Sequence, residues 1–224
     1  ITYADGSTES IVSDNSWKSG TGSILSSEIY HGETIDARAE RKGWLLPGYD
    51  DSNWSGVKTG TGDLSILVAN ENEPIRKHET FRPIRIFTTP RGERVLDFGQ
   101  NLVGWVKVKV SGQAGDAMTL SHAEVLDKEG NFYTENLRAA KAEAKYILKG
   151  EGQEVFEPHF TFFGFRYVRV TGFTGELSPD QFEAVALYSD MKPTGSFNSS
   201  NSLINQLQHN IQWGQRGNFL DVPT

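Results

Sequence analysis

With 224 residues, 37% of them hydrophobic and 23% charged, the chain has room for one large domain or two small ones and a globular composition on the polar side. Its net charge of −7 argues against a nucleic-acid partner held through phosphates, and the absence of cysteine excludes disulfides and thiolate metal sites. No apolar run is long enough to cross a bilayer, so no membrane partner is expected, and the compartment is left open.

Residues 1–75 are turn-rich. The opening Ile-Thr-Tyr reads as the end of a strand, and Asp5-Gly6 is a hairpin signal. A loop with one aromatic anchor, Trp17, precedes a strand expected around Ile24 to Tyr30. One helical turn is expected within the run from Ala37, followed by a Pro47-Gly48 turn.

From about residue 76 the pattern is more clearly β. In "LVGWVKVKVSG" Val106, Val108 and Val110 share one face and Lys107 and Lys109 the other, the period-two signature of a strand with one wet side. "DAMTLSHAEVL", "AEAKYILKG", "VFEPHFTFFGFRYVRVTGF" and "QFEAVALYSD" continue it, and "NLRAAKAEAKY" reads as loop and strand despite its helix formers. Short strands spaced by Gly-containing turns predict an antiparallel two-sheet sandwich. After Pro193, Leu203, Ile204, Leu207 and Ile211 fall at helical spacing; Ser200 or Asn201 suits the N-cap and Gly214 or Gly217 the end. This apolar face needs a partner, on the sandwich or elsewhere.

Sugar-bond hydrolysis uses two carboxylates facing each other across a cleft. Glu33 with Asp36, and Asp50 with Asp51, are candidates by proximity alone, but loop Asp residues more often cap turns, so none is assigned a catalytic role. Asp36, Asp50, Asp51 and Asn53 supply oxygens of the kind calcium takes, without an EF-hand spacing, so calcium is a candidate ion and no other cofactor is expected. His31, His78, His122, His159 and His209 make no metal-ligand spacing and read as ordinary polar or half-buried histidines. Trp44, Tyr49 and Trp54 cluster around the Pro-Gly turn, either as a platform for a sugar face or as core anchors. Phe160, Phe162, Phe163, Phe165 and Tyr167 read as core.

The run "HGETIDARAERKGWLLPGYDDSNW" resembles the N-terminal β-domain signature of bacterial α-L-rhamnosidases, the inverting glycoside hydrolases of family 78. "VLDFGQNLVGWVKVKVSG" and the "GFRY" segment resemble the concanavalin-like domain that follows, with Phe163 where the family usually has His before Gly164. "SNSLINQLQHNIQWGQRGNFLDVPT" is similar to the first helix of the catalytic (α/α)6 barrel. The resemblance implies a mainly β chain: an antiparallel β-sandwich N-terminal domain over 1–75, expected to be incomplete at its start, a jelly-roll or concanavalin-like sandwich over 76–193, and one C-terminal α-helix beginning a truncated barrel over 194–224.

It also implies that the general acid and base lie beyond Thr224 and that these residues alone are inactive. The parent is expected to release terminal α-linked L-rhamnose with inversion, these residues serving as scaffold. The expected partners are a rhamnose-containing glycan and the parent's own barrel. Asp36, Trp44 and Trp54 are the candidate sugar-binding residues; no metal ligands are assigned. A carbohydrate-binding module for L-rhamnose-containing glycans is the alternative reading. Without the barrel, the apolar helix face and an open sheet edge predict self-association.

Overall fold

The computed structural model describes residues 1–173 and 175–223, which fall into two compact units, one of 1–22 with 40–70 and one of 23–39 with 71–224. In chain order the strands are β1 (Lys18–Ser19), β2 (Ile24–Glu28), β3 (Gly32–Asp36), β4 (Ser55–Gly56), β5 (Ile75–Phe81), β6 (Arg85–Thr88) and β7 (Arg94–Ser111). They continue with β8 (Ala117–Ala123), β9 (Glu143–Ile147), β10 (Gln153–Phe156), β11 (Phe163–Thr171) and β12 (Phe182–Ser189). Helix α1 (Ser202–Gly217) and the small pair β13 (Phe219–Leu220) and β14 (Val222–Pro223) close the chain.

The first unit holds little regular strand: β1 pairs with β4 over two residues. Its shape comes from turns locked by short side chains. Asp5, Asp14, Asp50 and Asp63 each accept the backbone N–H two residues on, at 2.8–3.0 Å, the Asx geometry that makes loops of Asp and Ser fold locally.

The second unit is one ten-stranded sheet of order β2-β3-β9-β8-β11-β7-β12-β5, with β6 and β10 also paired to β7. The 18-residue β7 makes the sheet curl. Its first part pairs with β6 and its last part with β10, while β11 and β12 share its length. Gly104 allows this crossing, since a Cβ there would stand 1.9 Å from the carbonyl oxygen of Val185 on β12. The alternation read from the sequence holds: Val106, Val108 and Val110 are buried and Lys109 is exposed. They join Leu96, Phe98, Leu120, Phe165, Val168 and Phe182 in one core, with Phe98 and Phe165 edge to face at 5.8 Å. A fully buried ring such as Phe165 contributes about 2–3 kcal/mol by removal from water. Phe163 is also core, whereas Phe160 is 68% exposed and Phe162 and Tyr167 are half-buried.

The hairpin β2–β3 belongs to this sheet. β3 runs parallel to β9, from Gly32↔Glu143 to Asp36↔Ile147. The close approach needs glycine at position 32, where φ is +101° and a Cβ would lie 1.9 Å from the Glu143 carbonyl oxygen.

Helix α1 starts where the sequence places it. The side chain of Asn201 accepts the Leu203 N–H at 2.9 Å, and Asn218 closes the other end by donating from its amide to the Gly214 carbonyl at 2.7 Å. The residue that docks it is Trp213, which is buried and meets Phe81 of β5 edge-on at 5.5 Å. Arg216 lies over the Trp213 ring and pairs with Glu79 at 3.2 Å. The aliphatic face of the helix has no partner among the described residues: Leu203, Leu207 and Ile211 are 78%, 58% and 56% exposed.

Candidate functional site

Residues 43–54 form successive turns, with Leu46 N–H donating to the Gly43 carbonyl and Trp54 N–H to that of Asp51, at 2.8 and 2.9 Å. These turns gather the three aromatics. Trp54 sits 6.3 Å from Trp44 at a tilt of 36° and 5.9 Å from Tyr49 at 63°. Arg41 lies over the Trp54 ring and donates through Nε to the Thr21 carbonyl at 2.7 Å. Trp54 and Tyr49 are half-buried, while 54% of Trp44 faces solvent. One ring of the cluster is thus open to stack on an apolar face, and the other two support it.

Asp36 belongs to the second unit, so the structure joins Trp44 and Trp54 within one unit and gives Asp36 to the other. Both Asp36 carboxylate oxygens are engaged by Arg38, through its backbone N–H and Nε at 3.0 and 2.9 Å and through Nη2 at 2.7 Å. These bonds hold the carboxyl below its ordinary range. Asp50 accepts the Ser52 N–H, which lowers its carboxyl likewise, and Asp51 pairs with Lys18 at 2.7 Å. The carboxylates considered for calcium are therefore occupied by protein donors, and among the described residues no three His, Cys, Asp or Glu side chains group to hold a metal ion.

Three carboxylates are buried among the described residues, Glu33, Asp97 and Glu154. Sequence reasoning weighed Glu33 as a catalytic acid and passed over the other two. Glu33 accepts the N–H groups of His159 and Phe160 at 3.1 and 3.0 Å and the Ser27 hydroxyl at 2.9 Å. Asp97 takes a two-pronged contact from Arg166 at 2.8 and 3.1 Å and the Gly99 N–H at 2.8 Å. Burial pushes the Asp97 carboxyl up, but Arg166 and the Gly99 N–H outweigh it and hold the group below its usual range. Glu154 accepts the Tyr146 hydroxyl and the N–H groups of Lys149 and Gly150. Each is spent on tying strands and turns together, the arrangement a buried charge needs to be tolerated. Inward parity was the available signal for Glu33, since it alternates with Ile35, and for His122, which follows Met118 and Leu120 on β8.

A curled sheet with one docked helix, its buried acids committed to the fold, defines a concanavalin-like β structure. Family models agree in every segment. Residues 1–79 match the alpha-L-rhamnosidase N-terminal domain, 87–188 the bacterial alpha-L-rhamnosidase concanavalin-like domain, and 192–224 the bacterial alpha-L-rhamnosidase 6 hairpin glycosidase domain. An alpha-L-rhamnosidase of Streptomyces avermitilis is 46% identical over 226 residues, spanning all of this chain, and one of Formosa agariphila is 39% identical over 227. The crystal structure of the Streptomyces avermitilis enzyme complexed with L-rhamnose superposes on 99% of this chain with a TM-score of 0.93 at 44% identity. The Aspergillus terreus α-L-rhamnosidase covers all of it with a TM-score of 0.94 at 43% identity. The chain belongs to the bacterial α-L-rhamnosidase family, glycoside hydrolase family 78. It spans 22% and 24% of the two curated relatives' lengths and 22% and 26% of the two structures.

Proposed function

We propose that these residues are the non-catalytic β portion of an α-L-rhamnosidase, a scaffold on which its catalytic barrel is built. The whole protein would hydrolyse terminal α-L-rhamnosides with inversion, using two carboxylates set apart by the width of a water molecule. The observation that carries the reading is the match of residues 192–224 to the 6 hairpin glycosidase domain, on a helix whose Leu203, Leu207 and Ile211 face is open. Supporting it, the three buried carboxylates all accept hydrogen bonds from donors of the fold that tie strands and turns together. The test is a chimera in which this chain replaces the matching region of the Streptomyces avermitilis enzyme. A folded chimera that cleaves a chromogenic α-L-rhamnoside supports the scaffold role; a folded chimera without turnover counts against it.

A second reading, a carbohydrate-binding module for L-rhamnose-containing glycans, is favoured by the exposed Trp44 ring resting on Trp54. In that reading Trp44 and Trp54 stack on the sugar, and Asp36 orders the turn after β3 through Arg38. Titration with L-rhamnose, with calcium and with chelator, should give a tryptophan fluorescence change in this reading. No change at about 10 mM sugar removes this reading.

A further inference from the structure

A groove of about 620 Å³ runs between helix α1 and the first half of β7, wholly within the second unit. Trp213 and Leu102 form its apolar part. Most of the remaining polar side chains are carboxamides, with Glu124, Arg166 and His209 also on the wall. Asn101 donates its amide to Glu124 at 3.0 Å, Gln206 donates to Asn210 at 2.8 Å, and Asn218 donates to the Gly214 carbonyl. Each of these amides is thereby held by a neighbour while its other end has no partner among the described residues. Asn101, Gln206 and Asn218 keep carbonyl acceptors, and Asn210 keeps an amide donor. Glu124 keeps a second carboxylate oxygen.

The chemistry of the wall selects the ligand. An anion needs a free cation: Arg166 has its guanidinium paired with Asp97, and the remaining basic side chain on the wall, His209, shares the groove with the Glu124 carboxylate, which repels anions. An apolar peptide or lipid needs a wide hydrophobic floor, and this wall is mostly polar. Sugar hydroxyls both donate and accept, so a neutral saccharide matches fixed amide acceptors and donors beside one indole. We propose that this groove is a saccharide-binding subsite for a neutral sugar chain, separate from the Trp44 cluster. The proposal does not depend on the scaffold reading, because it concerns binding and not hydrolysis.

The experiment is a ¹H–¹⁵N spectrum of the isotope-labelled 224-residue chain, titrated with methyl α-L-rhamnoside, with a rhamnosyl-glucose disaccharide and with inorganic phosphate. Shifts are expected in the side-chain amides of Asn101, Asn210 and Asn218 and the Trp213 indole, with sugar and not with phosphate, at a Kd of about 1 mM. Asn210→Ala and Asn101→Ala should each weaken the disaccharide about fivefold, the loss expected for one hydrogen bond. Val155→Ala, at an exposed position on β10 outside both sugar candidates, should leave this binding unchanged, and each variant's own spectrum reports whether it is folded. The proposal is overturned by a folded chain showing no shifts at about 50 mM sugar, by shifts confined to Trp44 and Trp54, or by phosphate binding in place of sugar.

Discussion

His122 makes the stability of the sandwich depend on pH in a window that carboxylates do not share. It is fully buried on the inward face of β8, stacked on Phe163 at 4.0 Å and edge-on to Phe165 at 4.9 Å. Nδ1 donates to the Ala142 carbonyl at 2.9 Å, and Nε2 is buried without a partner among the described residues. Burial pushes the imidazole down from 6.5 to about 4, against the Ala142 bond, which favours the charged ring. The folded state therefore binds fewer protons than the unfolded one between those values. Its stability is full above pH 6.5, falls as pH is lowered through the window, and levels off below about pH 4. At about 1.4 kcal/mol per pH unit the total loss is about 3 kcal/mol. Urea unfolding followed by circular dichroism between pH 7.5 and 4 measures it. His122→Leu should cost about 1 kcal/mol at neutral pH and remove the loss in the window. Asp97, Glu93 and Asp127, whose carboxyls are lowered, weaken the fold from about pH 5 downward and do so in both proteins. The difference between the two curves thus isolates the ring. Parallel curves from pH 6.5 to 4 would refute the argument.

Glu33→Ala should destabilise the second unit by about 2–5 kcal/mol, because it removes the buried acceptor of the His159 and Phe160 N–H groups and the Ser27 hydroxyl and leaves a cavity in its place. Glu33→Gln, which keeps one acceptor oxygen, should cost less than half as much, and a loss under about 0.5 kcal/mol for the alanine variant would show that water replaces the clamp. The open α1 face should drive reversible self-association of the chain at high concentration, seen by sedimentation. Leu207→Glu with Ile211→Lys should abolish it while changing unfolding free energy by less than about 0.5 kcal/mol, since both side chains are more than half exposed. A wild-type chain that stays monomeric would contradict this.

Local features were legible because they depend on local rules. The Val106, Val108 and Val110 alternation, the Asn201 cap and the end of α1 near Gly217 all follow from periodicity and capping. The parallel pairing of β3 with β9 did not, because parity says which face is wet and not which strand lies alongside. The same pairing places residues 23–39 with the second unit although they are early in the chain. The sequence left open whether the aliphatic stripe lies on the sandwich or lacks its partner; the stripe is exposed, and the helix docks through the large Trp213 ring near its end, where Phe81 receives it. Glu33 and His122 defeated sequence reading for a shared reason. Polar residues at inward parity break the hydrophobic pattern, and their partners, the backbone of 159–160 and of Ala142, are remote in sequence. In the candidate site, the gathering of Trp44, Tyr49 and Trp54 was readable from a single turn, whereas the commitment of Asp36 to Arg38 and the polar groove beneath α1 needed coordinates.

The most direct measurement is the release of nitrophenol from p-nitrophenyl α-L-rhamnoside by the purified 224-residue chain, folded by circular dichroism. The scaffold account predicts no release above the enzyme-free blank over hours. Turnover on the order of 1 per second or faster, lost on changing any of Glu33, Asp97 or Glu154 to the matching amide, would contradict it.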